Sequence, residues 1–160
     1  MKKFLVLSLT VICLTVMTGC EKKEHGKYKE GTYFGYDTFE SYGDKYVATA
    51  VVYVNEDGMI KSVFIDSTYN KDSVGTTKKV LGDDYGMKET SANMDVIPGG
   101  AEWYEQVNKI EEKVISEQGI DWVKWSDSSN TKLDLDTISG VTISADSYIN
   151  ALSSALENAK

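Results

Sequence analysis

Near the C-terminus, Asp136-Thr137-Ile138-Ser139-Gly140-Val141-Thr142-Ile143-Ser144 gathers a carboxylate, several hydroxyls and a glycine ahead of an amphipathic stretch. With the Leu133/Leu135 alternation before it, the segment reads as a strand end, a glycine turn and a helix N-terminus. Gly140 permits a backbone conformation or a close approach that a side chain would forbid. The first turn of a helix leaves backbone N–H groups unpaired, and its dipole favours negative charge there. A phosphate ester on Thr142 suits such a position. Spacing alone predicts an anion site without naming the anion, and a plain turn with an N-capping hydroxyl would use the same residues.

Other chemistries lack the residues they need. His25 is the single histidine and lies in a charged leader segment. Zinc sites require three or four converging donors, so His25 reads as a solvated linker residue, and no Ser-His-Asp arrangement can be built on it. Asp83-Asp84 reads as a solvated turn. A hydrolase would need a carboxylate pair or a Ser-Lys dyad, and no spacing singles one out.

The elements that must position the segment are legible from periodicity. Tyr33, Phe34 and Tyr36 begin a first strand. Tyr46 to Val54 and Met59 to Asp66 are β-branched and aromatic runs joined by Asn55-Glu56-Asp57-Gly58, a hairpin signature. Thr76 to Leu81 can form a short helix that Gly82 ends. Pro98-Gly99-Gly100 opens a second helix to about Gln118, with Trp103, Val107, Ile110 and Val114 on one face and Gly119 as C-cap. Ile120, Trp122, Val123 and Trp125 form an apolar patch suited to covering the sheet. In the last helix Ala145, Tyr148, Ile149, Leu152, Ala155, Leu156 and Ala159 share a face, with Thr142 or Ser144 as N-cap. The fold class expected is α+β, an antiparallel β-sheet (meander or hairpin) flanked by helices.

The N-terminus has a different character. Lys2 and Lys3 precede an apolar run from Phe4 to Val16, closed by Met17-Thr18-Gly19-Cys20 and followed by Glu21-Lys22-Lys23-Glu24. A basic start, an apolar stretch and small residues at the cut describe a signal peptide. The alternative, a membrane-spanning helix, needs roughly 20 apolar residues. The segment also resembles a lipobox, which implies that Cys20 becomes the lipidated first residue of the mature chain. Cys13 would be lost with the signal peptide, so thiol redox chemistry and Cys-based metal sites are excluded. Residues 1–19 are thus read as a lipoprotein signal peptide, 20–30 as a lipidated tether and 31–160 as the folded domain. Loss of Lys2 and Lys3 takes the formal charge from −8 to about −10. Such acidity argues against nucleic acid and against adsorption to anionic lipid, leaving the acyl chains as the anchor.

With these residues set out, a family likeness emerges. Asp136, Ser139, Gly140 and Thr142 match the attachment motif of the FMN-binding domain family: Asp, two variable residues, Ser or Thr, Gly, usually Ala, then Thr. Val141 departs from the usual Ala. The likeness extends upstream through the hairpin, Gly82-Asp83-Asp84-Tyr85-Gly86-Met87-Lys88 and Glu102-Trp103-Tyr104-Glu105-Gln106, and covers about Gly31 to Lys160. It points to the flavinylated lipoproteins of the family rather than to its redox-pump subunits. It implies that an FAD-dependent flavin transferase esterifies FMN covalently to Thr142. The family also places residues beside the flavin in the Asn70 to Lys78 loop; its usual Glu-Thr-Pro-Gly is absent, and only Gly75 and Thr76 align loosely. Tyr85, Met87 and Trp103 are candidates to wall the flavin ring, with core packing the alternative for each.

The function so implied is that of an electron carrier at the outer face of the cytoplasmic membrane. It would take electrons from a membrane donor and pass them to an external acceptor, an electron-transfer flavoprotein more than a stand-alone enzyme. The alternative is a non-redox surface lipoprotein, a solute-binding or antigen module in which the same turn is structural.

Overall fold

The computed structural model describes residues 25–160. The signal-peptide segment and Cys20 lie outside the described residues.

Four strands form an antiparallel meander in chain order: β1 (Gly31–Ser41), β2 (Asp44–Val54), β3 (Ile60–Lys71) and β4 (Val74–Thr77). The fold is α+β, as expected. Strand β2 shows why: Tyr46, Ala48, Ala50, Val52 and Val54 are buried at every second position, the period of a half-buried strand. Ala50 pairs with Ile65 and Val52 with Val63, which continues that buried face into β3. The expected hairpin closes at Asn55 to Gly58, where Gly58 takes φ +75° and donates its N–H to Asn55 O at 2.9 Å.

The loop expected over Asn70 to Lys78 is different in the structure. β3 runs on to Lys71, and β4 returns beside it with Tyr69 paired to Thr76 and Asn70 to Gly75. The turn between them, Asp72-Ser73, has φ +52° and +65°, the left-handed pair that matches strand twist in two-residue hairpins. Without glycine in that turn, the hairpin left no mark in the sequence.

Two long helices cover the buried face. α3 (Trp103–Glu117) packs on β3, and α4 (Asp146–Asn158) crosses β1 and β2. Between β4 and α3 lie α1 (Lys78–Leu81), a 3₁₀ turn (Gly82–Tyr85) and α2 (Lys88–Ala92). The helix face read from Ala145 to Ala159 is buried throughout, as are Trp103, Val107, Ile110 and Val114. Ile120, Trp122, Val123 and Trp125 are half-buried against the core.

Several boundaries shift. α1 begins at Lys78 rather than Thr76, with Thr77 as its N-cap. α3 begins at Trp103, because Gly99 and Gly100 hold φ of +76° and +70° and form a turn instead of helix. Its first turn is closed by Glu105, whose carboxylate accepts the Glu102 N–H at 2.7 Å. Its C-cap is Gln118, in the left-handed region at φ +54°, rather than Gly119. Gln118 takes that strained position while its side chain serves β3, accepting from Ile60 N–H at 2.7 Å and donating to Ile60 O at 3.0 Å. The segment read as a tether is docked over its last part. Tyr28 joins the core, Lys27 pairs with Asp121 at 2.9 Å, and Lys29 N–H bonds Ala159 O at 2.7 Å. His25 is exposed. Among the described residues, no helix is long and apolar enough to cross a membrane.

Candidate functional site

One cleft of about 440 Å³ opens beside the start of α4. Its walls include Phe39 from the end of β1, Tyr85 and Met87 around the 3₁₀ turn, Trp103 from α3, Ile143 and Ser144 from the approach to α4, and Tyr148 from its first turn. Tyr85, Met87 and Trp103, the sequence candidates for a ring wall, therefore meet at one place. Trp103 and Tyr148 lie edge to face at 5.4 Å, as do Phe39 and Tyr148 at 6.1 Å.

The floor of the cleft holds a residue the sequence reading missed. Lys78 is 9% exposed, and its Nζ donates to Tyr148 Oη at 3.2 Å. Four ring centroids surround the ammonium: Tyr85 at 5.1 Å, Trp103 at 5.2 Å, Phe39 at 5.7 Å and Tyr148 at 5.9 Å. Desolvation lowers the Lys78 amine to about 8, against the attraction of Asp66. The ring faces also favour the cation. Burial likewise pushes the Tyr85 hydroxyl up to about 12 and the Tyr148 hydroxyl upward. The position of Lys78 follows from its neighbours. Thr77 Oγ1 accepts from Val80 N–H at 3.4 Å to start α1, and the Asp66 carboxylate accepts from Lys79 N–H at 3.0 Å to tie α1 to β3. A lysine after a polar stretch carries no signal of burial in a single sequence.

A second buried donor lies beside it. Trp103 is 1% exposed, yet its indole N–H has no hydrogen-bond partner among the described residues. It stands close enough to the Tyr148 hydroxyl to favour that group's anion, but not in hydrogen-bonding geometry with it.

The Asp136 to Thr142 segment adjoins the cleft rather than lining it. Asp136 and Ser139 are exposed, while Val141 is 2% exposed in the core. Gly140 has φ +74°, and a Cβ there would lie 2.1 Å from Lys109 Nζ. That ammonium donates to Gly140 O at 3.5 Å, which places a cation against the turn. Thr142 is half-buried; its N–H and Oγ1 both donate to Gln106 Oε1, at 2.8 and 3.3 Å. Gln106 is fully buried and fixed from its other end by Ala101 O at 3.2 Å and Ser91 Oγ at 3.5 Å. The signal available in the sequence is a glutamine at helical spacing after Trp103, next to the apolar face of Val107 and Ile110.

Neither Thr142 nor Ser144 caps α4. The N-cap is Ala145, with no side-chain cap bond. Ser144 is bridged to Lys132, and Ala145 N–H bonds Thr131 O at 2.8 Å, so the helix does not begin until Asp146. The Leu133/Leu135 alternation likewise gives bridges and not a sheet strand; Leu135 is exposed. Gly75 and Thr76 are outside the cleft, in β4, and a Cβ on Gly75 would meet only open space and Asn70 Oδ1 at 3.9 Å. Asp83 and Asp84 are exposed in the 3₁₀ turn. Among the described residues, no three His, Cys, Asp or Glu side chains are grouped to hold a metal ion.

Compared with family models, with curated proteins and with solved structures, the chain matches none of them.

Proposed function

We propose that the chain is a lipid-anchored extracytoplasmic flavoprotein, with FMN esterified to Thr142, that carries electrons from a membrane donor to an external acceptor. The observation that carries this reading is a juxtaposition. Tyr85, Met87 and Trp103 wall one cleft with Ile143 and Ser144, the two residues that follow Thr142. The donor set suits a flat heteroaromatic ring with an acceptor edge, since aromatic walls surround two buried donors, Lys78 Nζ and Trp103 Nε1. The volume falls within the ~300–1,000 Å³ usual for small-molecule and cofactor sites.

The chain's own groups have distinct tasks in this reading. Gln106 Oε1 fixes the Thr142 hydroxyl, so Oγ1 is presented in one orientation. Attachment by an FAD-dependent transferase would form the Oγ1–phosphorus bond, break the bond between the two phosphates of FAD, release AMP and pass the hydroxyl proton to solvent or the transferase. Gln106 keeps its bond to the Thr142 N–H when that proton is gone. Lys109, held at Gly140 O, supplies positive charge beside the phosphodiester. The first turn of α4, with Ser147 at the cleft, adds the favourable end of a helix dipole. Bound flavin supplies the electron-accepting chemistry, and the protein supplies attachment, orientation and electrostatic tuning.

One observation favours the second reading, a non-redox surface lipoprotein that binds a solute. The Thr142 hydroxyl already has a partner in Gln106, and the cleft could take a free planar ligand. Intact mass of protein purified from its own host separates the two. Esterification predicts a mass higher by one FMN residue, flavin fluorescence that survives denaturing electrophoresis, and loss of both in Thr142→Ala. A native mass explained by polypeptide and acyl groups alone would leave the solute-binding reading standing.

A further inference from the structure

Lys78 Nζ has three N–H donors, and among the described residues only Tyr148 Oη accepts from it. No carboxylate lies within ion-pair distance of it among the described residues. Trp103 lines the same cleft, and its buried Nε1–H has no acceptor among the described residues. Buried donors without acceptors are costly and uncommon in folded proteins. The unpartnered Trp103 N–H and the Lys78 ammonium, which has one acceptor for three N–H groups, lie 5.2 Å apart measured from the ammonium to the Trp103 ring and call for one ligand edge rich in acceptors.

We propose that Lys78 and Trp103 together hold the acceptor edge of the planar ligand in this cleft, and that the Lys78 ammonium favours the ligand's reduced, negatively charged form. This rests on the flavin reading above. Two electrons from a donor and one proton from water leave one net negative charge on a flavin ring. A cation in a desolvated pocket stabilises that charge more than water would. The aromatic cage matters because it keeps the ammonium buried without neutralising it, as a carboxylate partner would. Lys78 and Trp103 would thereby set the potential at which the domain takes and gives electrons.

The test uses the full chain, co-expressed with a flavin transferase and titrated spectroelectrochemically at pH 7 with dithionite as reductant. Lys78→Met should keep its flavin by mass. At a fixed potential, its ratio of reduced to oxidised flavin should fall at least tenfold, equivalent to a midpoint about 30 mV lower for a two-electron couple. Lys78→Arg, which keeps the charge, should recover most of that shift. Trp103→Phe, which keeps a ring and removes the N–H, should shift the flavin absorption bands. Flavinylated Lys78→Met and Trp103→Phe with the wild-type midpoint and spectrum would overturn this inference and leave covalent attachment intact. Wild-type protein without flavin would overturn the attachment itself.

Discussion

Lys78 couples the site to stability through its proton. The folded amine titrates at about 8, while the unfolded side chain keeps its ordinary value of 10.5. Between those values the unfolded chain binds the extra proton, so stability rises with pH. The full shift corresponds to at most about 3–4 kcal/mol, from roughly 1.4 kcal/mol per unit. Tyr85 and Tyr148 act in the opposite sense above pH 10, because both are held neutral by burial while the unfolded chain ionises them. Urea unfolding should therefore show stability climbing from pH 8 to 10 and turning over beyond it, with the climb absent in Lys78→Met. A flat profile in the wild type would mean that the amine is solvated. At this scale the sequence was informative for side chains whose type already limits their use. Tyr85, Met87 and Trp103 are suited to an apolar wall, and each reached one. Lys78 and Lys109 were invisible, because lysine is ordinarily solvated and only the fold turns these two inward.

Elements were legible where periodicity is long and unambiguous. α4 was readable because its small residues recur with the helix, and the structure shows what they are for. Gly35 of β1 is buried where α4 crosses, and a Cβ there would come within 2.1 Å of Ala151 O and 2.5 Å of Ala155 N. Helix and strand backbones touch at that point, over Ala50, the β2 partner of Gly35. Gly35→Ala must push the helix off the sheet. A loss of about 1–3 kcal/mol is expected, the usual range for overpacking, measured as a lower urea midpoint with an unchanged slope. Boundaries were less legible, because long-range hydrogen bonds decide them. The start of α4 is delayed by Thr131 and Lys132, and the left-handed end of α3 is set by what Gln118 does for β3. Neither partner is near in sequence.

At the scale of the whole molecule, both long helices pack on one side of the sheet, and the other side keeps an aromatic strip. Phe34 pairs with Val51 and Val51 with Phe64, and Phe34 and Phe64 remain 55% and 47% exposed. That strip is why sidedness could not be read from the strands: apolar residues occur on both faces of β1 and β3. The α+β class survived this ambiguity because it depends on the presence of elements and not on which face they cover.

The lateral boundary of β3 has a kinetic consequence. Side chains of α3, not a neighbouring strand, bind its backbone there: Gln118 at Ile60, and Glu111, which accepts the Ile65 N–H at 2.6 Å while pairing with Lys79 at 2.6 Å. Deuterium can reach those two amides only when the helix detaches, so both should exchange together and slowly, as one cooperative opening. Glu111→Gln, which keeps an acceptor but discharges the lysine pair, should hasten exchange at Ile65 and Ile60 alike. Acceleration confined to Ile65 would show that the rim frays residue by residue.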